Sequence, residues 1–124
     1  MLDRDDSRHD RCCEAMHAAG DSLVTCDAVL VKACYLFRRM PRAVRDLLMN
    51  VHTGRFRVDY SVQRRAEPLA RLMERYADVP MDLADACLVD MATLLGTGRI
   101  LTLDADFSVY RWGKNRAFES LIDL

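Results

Sequence analysis

No stretch of this chain is apolar for long enough to cross a membrane, which takes about 20 consecutive residues. The longest runs free of Asp, Glu, Lys and Arg are short, such as Met91 to Gly98. The opening, Met1-Leu2-Asp3-Arg4-Asp5-Asp6, is charged and has no apolar h-region, so it does not read as a signal peptide. Charge of one sign is also missing. Eighteen basic residues face 19 acidic ones, for a net charge of −1, which argues against a generally basic nucleic-acid coat while allowing a local basic patch. The five cysteines are an odd number, and Cys26, Cys34 and Cys87 lie among apolar neighbours. They read as reduced core thiols of a cytoplasmic protein, not as a disulfide framework. Internal repeats, low-complexity tracts and linkers are absent, so nothing marks a second domain.

What is present suits one domain spanning 1–124. Hydrophobic residues make up 51% of the 124 and charged residues 30%, too apolar for intrinsic disorder. A chain of this length buries roughly two thirds of the surface its unfolded form exposes. Asp6-Ser7 is suited to cap a first helix to about Ala18, closed by Gly20. Ser22 to Cys26 is a β-branched run and predicts a strand, after which Asp27 caps a helix ending near Arg38-Arg39. Pro41 opens the next helix, which carries Val44, Leu47, Leu48 and Val51 and stops at Thr53-Gly54. Phe56 to Tyr60 alternates as a strand does. A helix from about Glu67 to Tyr76 carries Leu69, Leu72, Met73 and Tyr76 on one face. Pro80 precedes a helix over Leu83 to Leu95, ended by Gly96 and Gly98. Arg99 to Leu103 predicts a buried strand, with short strand candidates at Phe107 to Tyr110 and Phe118 to Ile122. Strands alternating with helices argue for an α/β fold with a central, mostly parallel sheet flanked by helices.

Open parallel sheets bind ligands beyond the carboxyl ends of their strands. Asp104 follows the strand Ile100-Leu101-Thr102-Leu103, and Asp106 is two residues on. Asp82 and Asp85, three apart, share a face at a helix start. Carboxylates brought together from a strand end and a helix start make a site for a hard cation such as Mg²⁺. Each also has an ordinary structural use. Asp82 suits an N-cap, Asp85 meets the helix dipole, and Asp104 and Asp106 suit a turn.

Three segments carry a resemblance. They are Thr25-Cys26-Asp27-Ala28-Val29-Leu30-Val31-Lys32-Ala33-Cys34-Tyr35-Leu36, Tyr76-Ala77-Asp78-Val79-Pro80-Met81-Asp82-Leu83-Ala84-Asp85-Ala86, and Leu101-Thr102-Leu103-Asp104-Ala105-Asp106-Phe107-Ser108-Val109-Tyr110-Arg111. Together they resemble a PIN domain of the VapC type, the toxin half of bacterial toxin–antitoxin pairs. The resemblance implies a three-layer fold and an endoribonuclease whose Mg²⁺ or Mn²⁺ activates water and offsets charge on the cleaved phosphodiester. It also implies a homodimer and a small antitoxin partner whose segment packs over the site. By that resemblance Asp85 and Asp104 are catalytic, and Asp82, Asp85, Asp104 and Asp106 hold metal. Two positions depart from the pattern. Lys32 stands where the family carries a helical Glu, and the chain opens at a point the family reaches after its first strand and first Asp. The first central strand is therefore expected to be missing, with the sheet closed by its neighbours or filled by a partner chain. A Lys in place of a Glu changes local charge by two units, and each unit-charge contact is worth about 4 kcal/mol at an effective dielectric near 20. The expectation is that Lys32 forms an ion pair in the metal pocket, leaving nuclease activity weak or absent and a binding module as the alternative function.

Four further patterns bear on function. His9, Cys13 and His17 recur every four residues and suit either soft-metal ligands or a half-buried helix face. Gly96-Thr97-Gly98 follows a helix and precedes a strand, the reverse of a phosphate cradle, so it reads as a helix C-cap. Arg38, Arg39, Arg42 and Arg45 form one basic cluster and Arg64, Arg65, Arg71 and Arg75 another. Arg111, Lys114 and Arg116 form a third around Trp112. In the third, Arg111 and Lys114 suit phosphates and Trp112 suits a stacked base, against the plain reading of a solvated surface. Met40, Met49, Met73, Met81 and Met91 read as core filler.

Overall fold

The computed structural model describes residues 23–100 and 105–120. The expected N-terminal helix and the His9, Cys13 and His17 series lie outside the described residues. The rest form a mixed α/β arrangement. Strand β1 (Leu23–Thr25) leads into helix α1 (Asp27–Leu36), then α2 (Pro41–His52), β2 (Phe56–Val58), α3 (Ala66–Arg75) and α4 (Leu83–Leu95). Strand β3 (Arg99–Ile100), a 3-10 turn (Ala105–Ser108), β4 (Arg111–Trp112), β5 (Arg116–Ala117) and β6 (Glu119–Ser120) complete it. No described helix is long and apolar enough to cross a membrane.

Parallel pairing is present but in small pieces. β1 pairs with β2 in the register Leu23 to Phe56 and Thr25 to Val58, and β3 pairs with β6. Among the described residues no ladder joins these two pairs. Each pair needs a crossover, which α1 with α2 supplies for the first. β4 and β5 form an antiparallel hairpin that the sequence reading did not anticipate. Its three-residue turn places Gly113 and Asn115 at positive φ, which glycine and asparagine tolerate best.

Local chemistry explains most boundaries. Pro41 sits in the first turn of α2, where its missing N–H costs nothing. Gly96 ends α4 in the left-handed conformation, donating its N–H to the Ala92 carbonyl. Asp27 is not the cap of α1 as expected. Cys26 holds that position without a side-chain bond, and Asp27 lies in the first turn, where its charge still meets the dipole. The expected strand at Phe107 to Tyr110 is instead a 3-10 turn running into β4. It is set by aromatic packing: Phe107 meets Tyr110 and Phe118 edge-on at 5.0 and 5.2 Å, and Tyr110 meets Tyr76 at 5.1 Å.

The core centres on α4. Ala86, Cys87, Val89, Met91 and Ala92 are buried on it, against Cys26, Leu69, Tyr76, Ile100 and Tyr110. Cys26, Cys34 and Cys87 are free thiols. Burial, with Cys26 beside it, pushes the Cys87 thiol up to about 12 and keeps it protonated. Met81 and Met91 fill core as expected, whereas Met49 is exposed.

Candidate functional site

The N-terminus of α4 positions two of the expected carboxylates. Asp82 is the cap, with its Oδ1 accepting the Asp85 backbone N–H at 2.8 Å, and Asp85 Oδ2 accepts the Asp82 N–H at 3.4 Å. The pair is a reciprocal capping box, which satisfies two otherwise orphaned donors. Pro80 ends the preceding chain, and Met81 is buried beside the cap. The structural use and the proximity expected of these acids thus coexist.

Helix α1 packs on α4 and brings Lys32 to the same place. Its Nζ lies 2.9 Å from Asp82 Oδ2 and 2.9 Å from Asp85 Oδ1. The expected ion pair to Asp85 is present, and Asp82 shares it. Asp85 is 3% exposed, while Asp82 reaches solvent. The buried Tyr110 hydroxyl approaches Asp85 Oδ2 at 3.4 Å and the Val79 carbonyl at 3.5 Å. Burial opposes the charge of Lys32, but hydrogen bonds from its ammonium to Asp82 and Asp85 outweigh that and hold it protonated above the ordinary lysine range. Burial likewise opposes ionisation of Asp82. The Asp85 N–H and the Lys32 ammonium overcome it and hold the carboxyl below its usual value.

Among the described residues, this arrangement offers no ready seat for a divalent cation. Mg²⁺ needs oxygen ligands in near-octahedral array at about 2.1 Å. Between the two described carboxylates stands an ammonium that donates to both. No group of three metal-ligating side chains occurs among the described residues. Asp104 lies outside the described residues, as does the side chain of Asp106. Chemically, a Lys32 held protonated is no general base. It pairs with both acids and ties α1 to α4.

The third basic cluster departs further from expectation. Trp112 is 9% exposed, and its Nε1 donates to the Ala117 carbonyl at 3.1 Å. A Cβ on Gly98 would collide with this indole, so the ring is seated against bare backbone. With the Arg116 guanidinium 5.3 Å from its centroid, Trp112 is a core residue and not a stacking platform. Arg111 is half-buried, and its Nη1 donates to the Ser108, Val109 and Tyr110 carbonyls at 2.9, 3.1 and 2.9 Å, closing the 3-10 turn. Lys114 remains exposed on the hairpin turn.

Sequence reasoning missed a second charged cluster on α4. Asp90, 4% exposed, accepts from Arg65 Nε at 2.8 Å and Nη2 at 2.9 Å, and from the Tyr60 hydroxyl at 2.6 Å. Burial opposes its charge, yet Arg65 and Tyr60 hold the carboxyl below its usual range. The signal in the sequence was a lone acid inside the apolar run Leu88-Val89-Asp90-Met91, which demands a partner.

Compared with protein-family models, curated proteins and solved structures, the chain matches none.

Proposed function

We propose that this chain is a PIN-like domain, resembling the toxin half of a type II toxin–antitoxin pair, that binds a protein partner and does not cleave RNA. The observation that carries this reading is the Lys32 ammonium 2.9 Å from both Asp82 and Asp85, where the resemblance implies Mg²⁺ or Mn²⁺. An internal cation supplies the counter-charge a metal would, but offers no bound water to attack a phosphodiester. The partner is an antitoxin-like protein or a second copy of the chain, and the setting is cytoplasmic.

A second reading is a weak Mg²⁺- or Mn²⁺-dependent endoribonuclease. It is favoured by the position of Asp82 and Asp85 at the start of α4, beside a helix that the resemblance also places in the site. Mn²⁺ titration by calorimetry, run with an RNA cleavage assay and an Asp85→Asn control, separates the two. The binding-module reading expects no Mn²⁺ heat and no cleavage above the control. Clear Mn²⁺ binding with cleavage lost in Asp85→Asn would establish the nuclease.

A further inference from the structure

Charge is unevenly distributed along the chain. Residues 38–75 hold ten arginines and four acids, whereas the rest hold eight basic and fifteen acidic residues. Arg38, Arg39, Arg42 and Arg45 are all exposed, at the turn before α2 and on its first half. Stability alone would not put them there. The N-terminal end of a helix favours acids, and α2 has none in its first turn.

The exposed side chains of the two helices beside this turn are apolar as well as basic. The inner face of α2 carries Ala43, Val44, Leu47 and Val51. Its outer face carries Arg42, Arg45, Met49 and His52 at spacings of three and four, with Leu48 beside them. Leu48 is 50% exposed and Met49 43%. Helix α1 contributes Val31 at 70% and Tyr35 at 61%, one turn apart. The turn 37–40 joins the two helices, and there the Arg38 guanidinium stacks 4.1 Å over the Tyr35 ring. Helix α1 has no fully buried residue despite its apolar sequence. Arginine, tyrosine and methionine are the side chains enriched in protein interfaces.

We infer that the outer faces of α1 and α2 dock an acidic amphipathic helix of a partner protein. Its apolar side chains would cover Val31, Tyr35, Leu48 and Met49, and its carboxylates would meet Arg38, Arg42 and Arg45. Charge complementarity selects an acidic partner, and the exposed aliphatic groups select a protein over RNA. The stacked Arg38 occupies the ring face a base would need. The inference rests on the reading of this chain as a binding module and assigns that module its surface.

Fluorescence anisotropy tests it, with a labelled synthetic helix of about 15 residues, leucines on one face and glutamates elsewhere. Control probes replace Glu by Lys, or Leu by Ala, and a single-stranded RNA and phosphatidylserine vesicles complete the set. The Glu/Leu helix binds saturably, and the control helices do not. The double change Arg42→Glu with Arg45→Glu weakens binding about tenfold, as reversed surface pairs do. Arg42→Gln with Arg45→Gln gives a smaller loss, and circular dichroism checks that both variants fold. No saturable binding, or binding indifferent to these arginines, overturns the proposal, as does tighter binding of RNA or vesicles through the same residues. A dimer seen by light scattering and dissociated by the double reversal would also overturn it, by giving the surface to a second copy. None of these variants touches Lys32, Asp82 or Asp85, so the Mn²⁺ result stands or falls separately.

Discussion

Helix α4 carries two charged clusters that resemble each other on paper and differ in kind. At its first turn, the Lys32 ammonium is shared between Asp82 and Asp85. One and a half turns on, Asp90 is gripped by the Arg65 fork and the Tyr60 hydroxyl. The second is geometrically closed. Two parallel N–H donors match a carboxylate as a single ammonium cannot. The first is open. It includes the solvent-exposed Asp82 and is built on a point-like ammonium. Each cluster ties α4 to a neighbour, α1 in one case and the segment leading into α3 in the other. The difference teaches that charge pairing inside this fold takes two forms: a planar fork matched to one buried carboxylate, and a point charge shared between two.

The strongest way to break the comparison is to remove Asp90. Asp90→Ala should cost about 3 kcal/mol in urea unfolding, because it deletes a buried carboxylate and strands the Tyr60 hydroxyl and the Arg65 fork. The response to Mn²⁺ should stay that of the unaltered chain. A loss well under about 1 kcal/mol would remove the difference between the two clusters. Next in size, Lys32→Met should cost about 1 kcal/mol, since half-exposed Asp82 stays solvated while Asp85 keeps its backbone and Tyr110 neighbours. Its more telling effect is a gain. With the ammonium gone, Mn²⁺ should stabilise the variant in thermal unfolding while leaving the unaltered chain unmoved. If neither responds to Mn²⁺, the two carboxylates are a capping box and nothing more.

Legibility in the sequence followed how local the determining contact is. Helix α4 was bounded correctly, Leu83 to Leu95, because Pro80, Asp82 and Gly96 act within their own turns. Pro41 and Thr53-Gly54 bounded α2 for the same reason. Lys32 was traced to Asp85 through the resemblance, since spacing alone says nothing about residues 53 apart. The Asp90 cluster was missed because its partners lie 25 and 30 residues away. Only the oddity of an acid in an apolar run hinted at it. The basic neighbours of Trp112 say little about its burial. Its environment is decided by Gly98, whose missing side chain makes the room. The carbonyls that Arg111 Nη1 meets lie one to three residues before it, in a turn that the sequence pattern presents as a strand. The turn Gly113-Lys114-Asn115 carried a hairpin signal that short flanking strands obscured.

The smallest expected effect bears most directly on the Lys32 cluster. Asp82→Asn keeps a good cap, because Asn still accepts the Asp85 N–H, but removes one charge facing Lys32. At pH 7 the cost should be about 0.3 kcal/mol, the scale of a solvent-screened pair. Acid titration makes the difference visible. A carboxyl held below its unfolded value of 3.8 contributes stability that is complete above that pH and disappears as pH falls through the folded value. Asp82 and Asp90 both have this sign, so stability should fall on acidification below about pH 4. Asp82→Asn should flatten that limb slightly, and Asp90→Asn should flatten it more, in keeping with a closed cluster that holds its charge harder. Equal flattening in the two variants would erase the distinction, because it would mean that the shared ammonium grips its acids as firmly as the arginine fork does.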